Sequence, residues 1–74
     1  MYSGYFVDQG LIHGPKGYTN HWIDRGHIYG PQGYTHTWVE GSRRIFSREG
    51  YTGCWIDGGY IYGPKQKLPW TDIA

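Results

Sequence analysis

Residues 22–41 read WIDRGHIYGPQGYTHTWVEG and hold one complete copy, with the start of the next, of a unit that recurs along the whole chain. In this unit an aromatic residue is followed by Ile or Val and then by an acid. The triplet begins at Phe6, Trp22, Trp38 and Trp55. The segment Gly-Tyr-Thr begins at Gly17, Gly33 and Gly50. A short fixed period of this kind indicates a repeat architecture.

Each unit predicts a β-hairpin. Two-residue segments ending in glycine separate apolar stretches, at Gln9-Gly10, Arg25-Gly26 and Gly58-Gly59, which is the composition of a primed hairpin turn. The segment Gly-Pro-x-Gly suits a type I turn, because proline takes its second position and glycine its fourth. We therefore predict an all-β fold in which four β-hairpin repeats of about 16 residues form a small shallow pseudo-four-fold barrel.

The 74 residues predict a single domain, 1–74, with repeats at about 5–16, 17–33, 34–50 and 51–70. The third repeat diverges most. It carries one extra residue in the stretch Glu40–Arg44, and Ser47–Gly50 stands where the other repeats have Gly-Pro-x-Gly. Pro69 breaks the pattern of the fourth repeat, so we expect a cap or a closing strand at that end of the domain.

The turns fix a cross-strand register. With Arg25-Gly26 as the turn, Ile23 pairs with Ile28 and Trp22 with Tyr29, and the other repeats follow the same rule. Because side chains alternate between the faces of a strand, each hairpin has an aliphatic face and an aromatic face. The aliphatic ring comprises Val7, Ile12, Ile23, Ile28, Val39, Ile45, Ile56 and Ile61. The aromatic ring comprises Phe6, His13, Trp22, Tyr29, Trp38, Phe46, Trp55 and Tyr62. The sequence leaves open which ring faces the barrel axis.

Composition and charge exclude several classes of protein. Seven basic and six acidic residues give a net charge of +1, so there is no reason to expect strong binding to a nucleic-acid polymer or to an anionic membrane. The apolar runs are only two or three residues long, too short to span a bilayer. Cys54 is the only cysteine, and the first residues carry no export signal, which favours a cytoplasmic setting.

The repeat number, the repeat length and the rhythm aromatic–Ile–x–x–Gly–x–Ile–Tyr in WIDRGHIYGPQGYTHTWVEG resemble the bacterial four-fold β-flower family. The resemblance covers about residues 5–70. It implies hairpin petals around a shallow, square barrel. It brings no established activity, so it concerns the fold and not the function.

The residues that could carry catalysis do not form a catalytic pattern. Four carboxylates occupy one repeat position beside the hairpin turn, where we expect them to accept backbone N–H bonds: Asp8, Asp24, Glu40 and Asp57. The histidines fall at four different repeat positions, which argues against a symmetric metal site: His13, His21, His27 and His36. We expect Cys54 to be a small packed side chain. The sequence therefore predicts no catalytic residue, no metal site and no cofactor, and a protein that is not an enzyme.

The aromatic ring is the sharpest candidate site, because Trp and Tyr faces stack on sugars, bases and cations. The candidate ligand-binding aromatics are Trp22, Tyr29, Trp38, Phe46, Trp55 and Tyr62. The third repeat adds a candidate phosphate clamp of Arg43, Arg44 and Arg48. We expect a non-catalytic binding or interaction module that forms a homo-oligomer. Two alternatives stay open: a protein that binds or sequesters a small nucleotide signal, and a carbohydrate-binding lectin-like module.

Overall fold

A computed structural model describes residues 1–41 and 43–71. Eight antiparallel strands follow one another around a closed barrel, in which β1 also pairs with β8. The strands are β1 (Tyr2–Asp8), β2 (Leu11–Gly14), β3 (Gly17–Asp24), β4 (His27–Gly30), β5 (Gly33–Glu40), β6 (Arg44–Ser47), β7 (Gly50–Asp57) and β8 (Tyr60–Tyr62). Two single turns of 3₁₀ helix, Lys65–Lys67 and Pro69–Thr71, follow β8. The predicted all-β barrel of four hairpins is confirmed.

The hairpin turns have the predicted primed geometry. In the second repeat, both turn residues have positive φ, 54° at Arg25 and 84° at Gly26, as a type I′ turn requires. The carbonyl of Gly26 then accepts a hydrogen bond of 2.7 Å from the backbone N–H of Val39 in the next repeat. Each of the other three repeats makes the equivalent bond, so every hairpin tip is tied to the hairpin that follows it around the barrel.

The predicted register within the hairpins is also confirmed. Trp22 pairs with Tyr29 and Ile23 with Ile28, and the other three hairpins show the corresponding pairs. Between hairpins the register shifts at a bulge, where Asn20 and its equivalent His36 both have a φ of 65°. The strands that contain this bulge, such as β3 and β5, are eight residues long.

The aliphatic ring faces the axis and forms the core. Ile12, Ile28, Ile45 and Ile61 are each 0% exposed. Val7, Ile23 and Val39 pack against them and are partly buried. Branched aliphatic side chains fill the narrow interior of an eight-stranded barrel, which leaves no room for indole and phenol rings. The aromatic ring therefore lies on the outer surface.

The barrel is closed by a fourth copy of Gly-Tyr-Thr that has a different sequence. The hydroxyls of Thr19, Thr35 and Thr52 each donate a 2.7 Å hydrogen bond to the carbonyl of the central isoleucine of the preceding hairpin. In the remaining position the Ser3 hydroxyl donates to the carbonyl of Ile61 at 2.5 Å. Tyr2 pairs with Tyr62 beside it. The stretch Met1–Ser3 thus completes the four-fold pattern and joins β1 to β8.

The segment after Pro64 caps one end of the barrel and is not a closing strand. Leu68 is 1% exposed and Trp70 is 4% exposed. The Trp70 ring lies 5.7 Å from the Tyr5 ring and 5.6 Å from the His21 ring, measured between centroids. Tyr5 and His21 hold equivalent positions of the first and second repeats. The cap therefore sits on the end of the barrel that carries the Gly-Pro turns.

Candidate functional site

Four pairs of stacked rings surround the barrel, one on the outer face of each hairpin. The rings of Trp22 and Tyr29 are 6.1 Å apart with an angle of 16° between their planes. The corresponding pairs are Phe6 with His13 at 5.3 Å and 22°, Trp38 with Phe46 at 6.3 Å and 14°, and Trp55 with Tyr62 at 5.8 Å and 14°. The structure thus brings the six predicted aromatic site residues together in pairs, and it spreads the pairs around the circumference.

A third ring extends each pair. Tyr34 lies 5.5 Å from Tyr29, and Tyr51 lies 5.4 Å from Phe46. Tyr18 stands beside His13 and Tyr2 beside Tyr62 in the same way, at 5.6 and 5.8 Å. We call these twelve rings the aromatic belt. Three of these tyrosines belong to the Gly-Tyr-Thr segments, and Tyr2 belongs to the equivalent stretch Met1–Ser3. The regular spacing of Gly-Tyr-Thr was the sequence signal that could have assigned them to the candidate site.

One position against the belt changes its chemistry from repeat to repeat. Leu11, His27, Arg44 and Tyr60 each pair across strands with the leading aromatic residue of the next repeat. Three of them also contact a belt tyrosine. The His27 ring is 5.4 Å from the Tyr34 ring, the Tyr60 ring is 5.6 Å from the Tyr2 ring, and the Arg44 guanidinium lies 5.7 Å from the centroid of the Tyr51 ring. The belt is therefore a common frame with four different local surfaces.

Exposed rings lie next to one another where the fourth repeat meets the first. Two belt rings there, Tyr2 and Trp55, are 45% and 39% exposed, and the neighbouring Tyr60 is 50% exposed. The belt rings Tyr51 and Tyr18 are exposed to a similar extent, 46% and 42%, but the rings they contact, Phe46 and His13, are half-buried. We call Tyr2, Trp55 and Tyr60 the seam patch. Phe6 borders this patch, because its ring lies 6.4 Å from that of Tyr60. Within the seam patch Tyr2 contacts Tyr60 directly, and Tyr62 joins Trp55 to Tyr2.

The three arginines of the predicted phosphate clamp are spread along β6 and the turns at its two ends. Arg43 lies in the hairpin turn with a φ of 66°, whereas Arg48 lies in the turn at the other end of β6. Arg44 begins β6 and points to the outer face, over Tyr51. A strand advances about 3.3 Å per residue, so the length of β6 separates Arg43 from Arg48. Only Arg44 contacts the aromatic belt.

Four equivalent clefts lie at the capped end of the barrel, one beside each turn that joins two repeats. Their volumes are about 460, 420, 360 and 600 Å³ from the first repeat to the fourth. The fourth cleft is lined by Met1, Tyr2, Ser3, Gly53, Trp55, Gly63, Pro64, Lys65 and Gln66. It is the largest of the four, and it is the one walled by two exposed rings of the seam patch, Tyr2 and Trp55.

The bulge position leaves the fourth cleft open beside Trp55. Glycine occupies this position in the fourth repeat (Gly53, φ +86°) and in the first (Gly4, φ +93°), whereas the second and third repeats have Asn20 and His36. A Cβ on Gly53 would lie 3.3 Å from Cγ of Pro64. A side chain would therefore project into the space between Trp55 and the turn.

Charge is distributed unevenly along the barrel axis. The hairpin tips carry the four repeated carboxylates, all of them exposed, together with Arg25 and Arg43. The capped end carries Lys16, Arg48, Lys65 and Lys67, with Glu49 as its carboxylate among residues 43–71. Asp72 lies outside the described residues. Within the described part of the chain, the end that holds the clefts is therefore the cationic end.

Cys54 is buried inside the barrel and is not part of the belt. It is 0% exposed, and its thiol donates a hydrogen bond to the carbonyl of Pro64 at 3.4 Å. Burial raises the pKa of the thiol above its ordinary value, partly offset by a hydrogen bond with Thr52. A buried, protonated thiol is unreactive, which agrees with the packing role predicted for it.

The metal-ligating side chains do not converge. Residues 1–41 and 43–71 contain no group of three or more His, Cys, Asp or Glu side chains that could hold a metal ion. The turn carboxylate Glu40 accepts a 2.9 Å hydrogen bond from the Trp38 indole. Glu40 thus orients a belt ring, a role that the sequence did not indicate.

Comparisons with known proteins leave the function to be argued from this geometry. No protein-family model matches the chain, and neither a curated protein nor a solved structure gives a match. Within the described residues, no helix is long and apolar enough to cross a membrane.

Proposed function

We propose that the protein is a non-catalytic binding module that self-associates through the seam patch. The observation that carries this proposal is the outward placement of the aromatic belt. The isoleucine core is complete without the belt rings, yet Tyr2, Trp55 and Tyr60 keep between 39% and 50% of their surface exposed. Trp and Tyr are the residues most enriched at the energetic centres of interfaces.

A second copy is the partner that best fits this surface. The net charge of +1 gives little electrostatic repulsion between copies. A domain of 74 residues buries a modest fraction of its surface when it folds alone, so burying the seam patch against another copy adds stability that the single barrel lacks.

The repeat supplies a substitution that tests this proposal without disturbing the barrel. Arg44 occupies the position of Tyr60 in the third repeat, so the backbone accommodates arginine there. In sedimentation velocity over a wide concentration range, we expect the wild-type protein to associate and Tyr60→Arg to weaken association about tenfold or more. The matched control is His27→Arg, which adds the same side chain at the same repeat position away from the seam.

Two outcomes would remove the proposal. The first is a wild-type protein that sediments as a monomer at every concentration. The second is equal weakening by His27→Arg and Tyr60→Arg, which would show that added charge acts from any face. Four expectations stay predictions from the sequence. They are membership of the β-flower family, a cytoplasmic setting, the exclusion of nucleic-acid polymers and membranes as partners, and the lectin-like alternative.

A further inference from the structure

We infer that the cleft of the fourth repeat is a binding site for a nucleoside monophosphate. In this assignment the base stacks on the exposed rings of Trp55 and Tyr2, and Lys65 binds the phosphate. The site is distinct from the self-association surface in what it binds, although Tyr2 and Trp55 border both. Its test is arranged so that either proposal can fail alone.

The walls of the cleft provide the stacking surface. Trp55 is the most exposed tryptophan of the belt, and Tyr2 lines the same cleft. Every base has a face that can stack on an aromatic side chain, so such a surface tolerates any base. Because Gly53 has no side chain, the space beside Trp55 is open, and the base of a nucleotide can reach the indole from the capped end.

The charge of the lining selects an anion. Lys65 lines the cleft, and its lining within residues 1–41 and 43–71 includes no carboxylate side chain. By contrast, Glu49 stands at the position of Lys65 in the cleft of the third repeat. Lys67 and Lys16 lie at the same end of the barrel and add to the positive potential there. A phosphate is favoured in such a setting because an ammonium donates charge-assisted hydrogen bonds to its oxygens.

The polar groups of the cleft fit a nucleotide better than a neutral sugar. Protein sites recognise a neutral sugar through hydrogen bonds to several hydroxyls, and the described lining offers few side chains for this, namely Tyr2, Lys65 and Gln66, because the Ser3 hydroxyl already donates to the carbonyl of Ile61. A nucleoside monophosphate needs a stacking face and a cation, with Gln66 left for a base edge or a ribose hydroxyl. A volume of about 600 Å³ lies within the range of small-molecule sites.

Isothermal titration calorimetry of the full chain tests the site. The probes are the four nucleoside monophosphates, adenosine, inorganic phosphate and methyl glucoside. We expect heat from at least one nucleoside monophosphate, weaker binding of adenosine by about tenfold, and none from methyl glucoside. Each titration is repeated on Tyr60→Arg, so that a cleft covered by self-association in the wild-type protein is open in the variant.

Variants drawn from the other repeats locate the ligand. Lys65→Gln copies Gln32 of the second repeat and should weaken nucleotide binding about five- to tenfold. Gly53→Asn copies Asn20, which already has positive φ at the bulge, and should abolish binding by filling the cleft. The matched control Lys16→Gln removes the same charge at the first-repeat cleft and should change the affinity less than about twofold.

Three results would overturn the assignment. They are no heat from any nucleoside monophosphate with either protein, binding of methyl glucoside instead, or equal weakening by Lys16→Gln and Lys65→Gln, which would indicate a diffuse electrostatic effect. Circular dichroism confirms that Gly53→Asn is folded. If it is not, Lys65→Gln and Lys16→Gln decide the question by themselves.

Discussion

Replacing Trp70 by alanine should remove a large part of the stability of the domain, whereas replacing it by phenylalanine should remove almost none. The alanine variant loses a side chain that is 4% exposed and packed against Tyr5 and His21. Deleting a buried Trp side chain typically costs about 3–5 kcal/mol. For a chain of this length the whole free energy of unfolding is about 4–11 kcal/mol.

The indole N–H makes the two substitutions differ. Nε1 of Trp70 is buried and has no hydrogen-bond partner among the described residues. A buried donor without a partner costs about 1–3 kcal/mol. Trp70→Phe keeps most of the ring contacts and relieves this cost, so its effect should lie within about 1 kcal/mol of zero. Trp70→Ala relieves it too, which places its loss nearer 2–3 kcal/mol, or about 10–20 °C in Tm.

Thermal and urea unfolding followed by circular dichroism measure both effects. The control is Trp22→Phe, which removes an indole N–H from a half-buried belt position that Phe6 fills in the first repeat. We expect this control to cost less than about 1 kcal/mol. A Trp70→Phe variant as unstable as Trp70→Ala would show that the indole N–H is bonded in solution. A Trp70→Ala variant as stable as the wild-type protein would show that Pro69–Thr71 does not cap the barrel.

Three further perturbations follow from the repeat. Thr52→Val should lower the free energy of unfolding by about 1–3 kcal/mol, because it leaves the buried carbonyl of Ile45 unpaired, and urea unfolding should show a smaller loss for Thr37→Val, whose hydroxyl makes no such bond. Gly63→Ala would place a Cβ 2.5 Å from the carbonyl oxygen of Gly53, so its Tm should fall well below that of Gly33→Ala, which has a similar φ of +105° but open space around it; equal losses would refute the steric argument. Burial raises the pKa of the Cys54 thiol above its ordinary 9.0, so the native state keeps this proton to a higher pH than the unfolded state does. The contribution of the thiol to the free energy of unfolding is therefore complete below pH 9.0 and decreases as pH rises through the native pKa. The urea midpoint should therefore fall more steeply above pH 9.0 for the wild-type protein than for Cys54→Ala, and parallel curves would contradict this.

Local chemistry was enough to predict the hairpins. Turn residues such as Arg25-Gly26 determine which residues pair, and strict alternation then divides Ile23 from Trp22, so the register and the two rings follow from the sequence. The sequence did not predict which of the two sets of residues, aliphatic or aromatic, faces the barrel axis, because the alternation is the same in either case. The barrel diameter decides it, and the diameter depends on closure by β1 and β8.

The sequence did not reveal how β1 closes the barrel against β8, because the closing segment keeps the geometry of Gly-Tyr-Thr and not its sequence. Tyr2-Ser3 does the work of Tyr18-Thr19, since a serine hydroxyl can donate the same bond to a backbone carbonyl, but the glycine that marks the other three copies is replaced by Met1. The separation of the arginines has a related cause. Arg43 and Arg48 are close in sequence, but the extended strand β6 lies between them. They therefore lie at opposite ends of the barrel.

Because the four hairpins share one backbone, the residues that differ between them must determine what each face of the barrel binds. The backbone, the core isoleucines and the hydroxyl-to-carbonyl bonds are shared by all four hairpins, so none of them can select a partner for one face of the barrel. Selection has to come from positions that vary, and two of these are independent of folding: the residue against the belt tyrosine, and the residue at the bulge. The fourth repeat combines Tyr60, a ring that is 50% exposed, with Gly53, which has no side chain at the bulge; the first repeat shares the glycine, as Gly4, but has Leu11 in place of the exposed ring. An exposed ring and an absent side chain create, on the same hairpin, a patch for a partner and a space for a ligand.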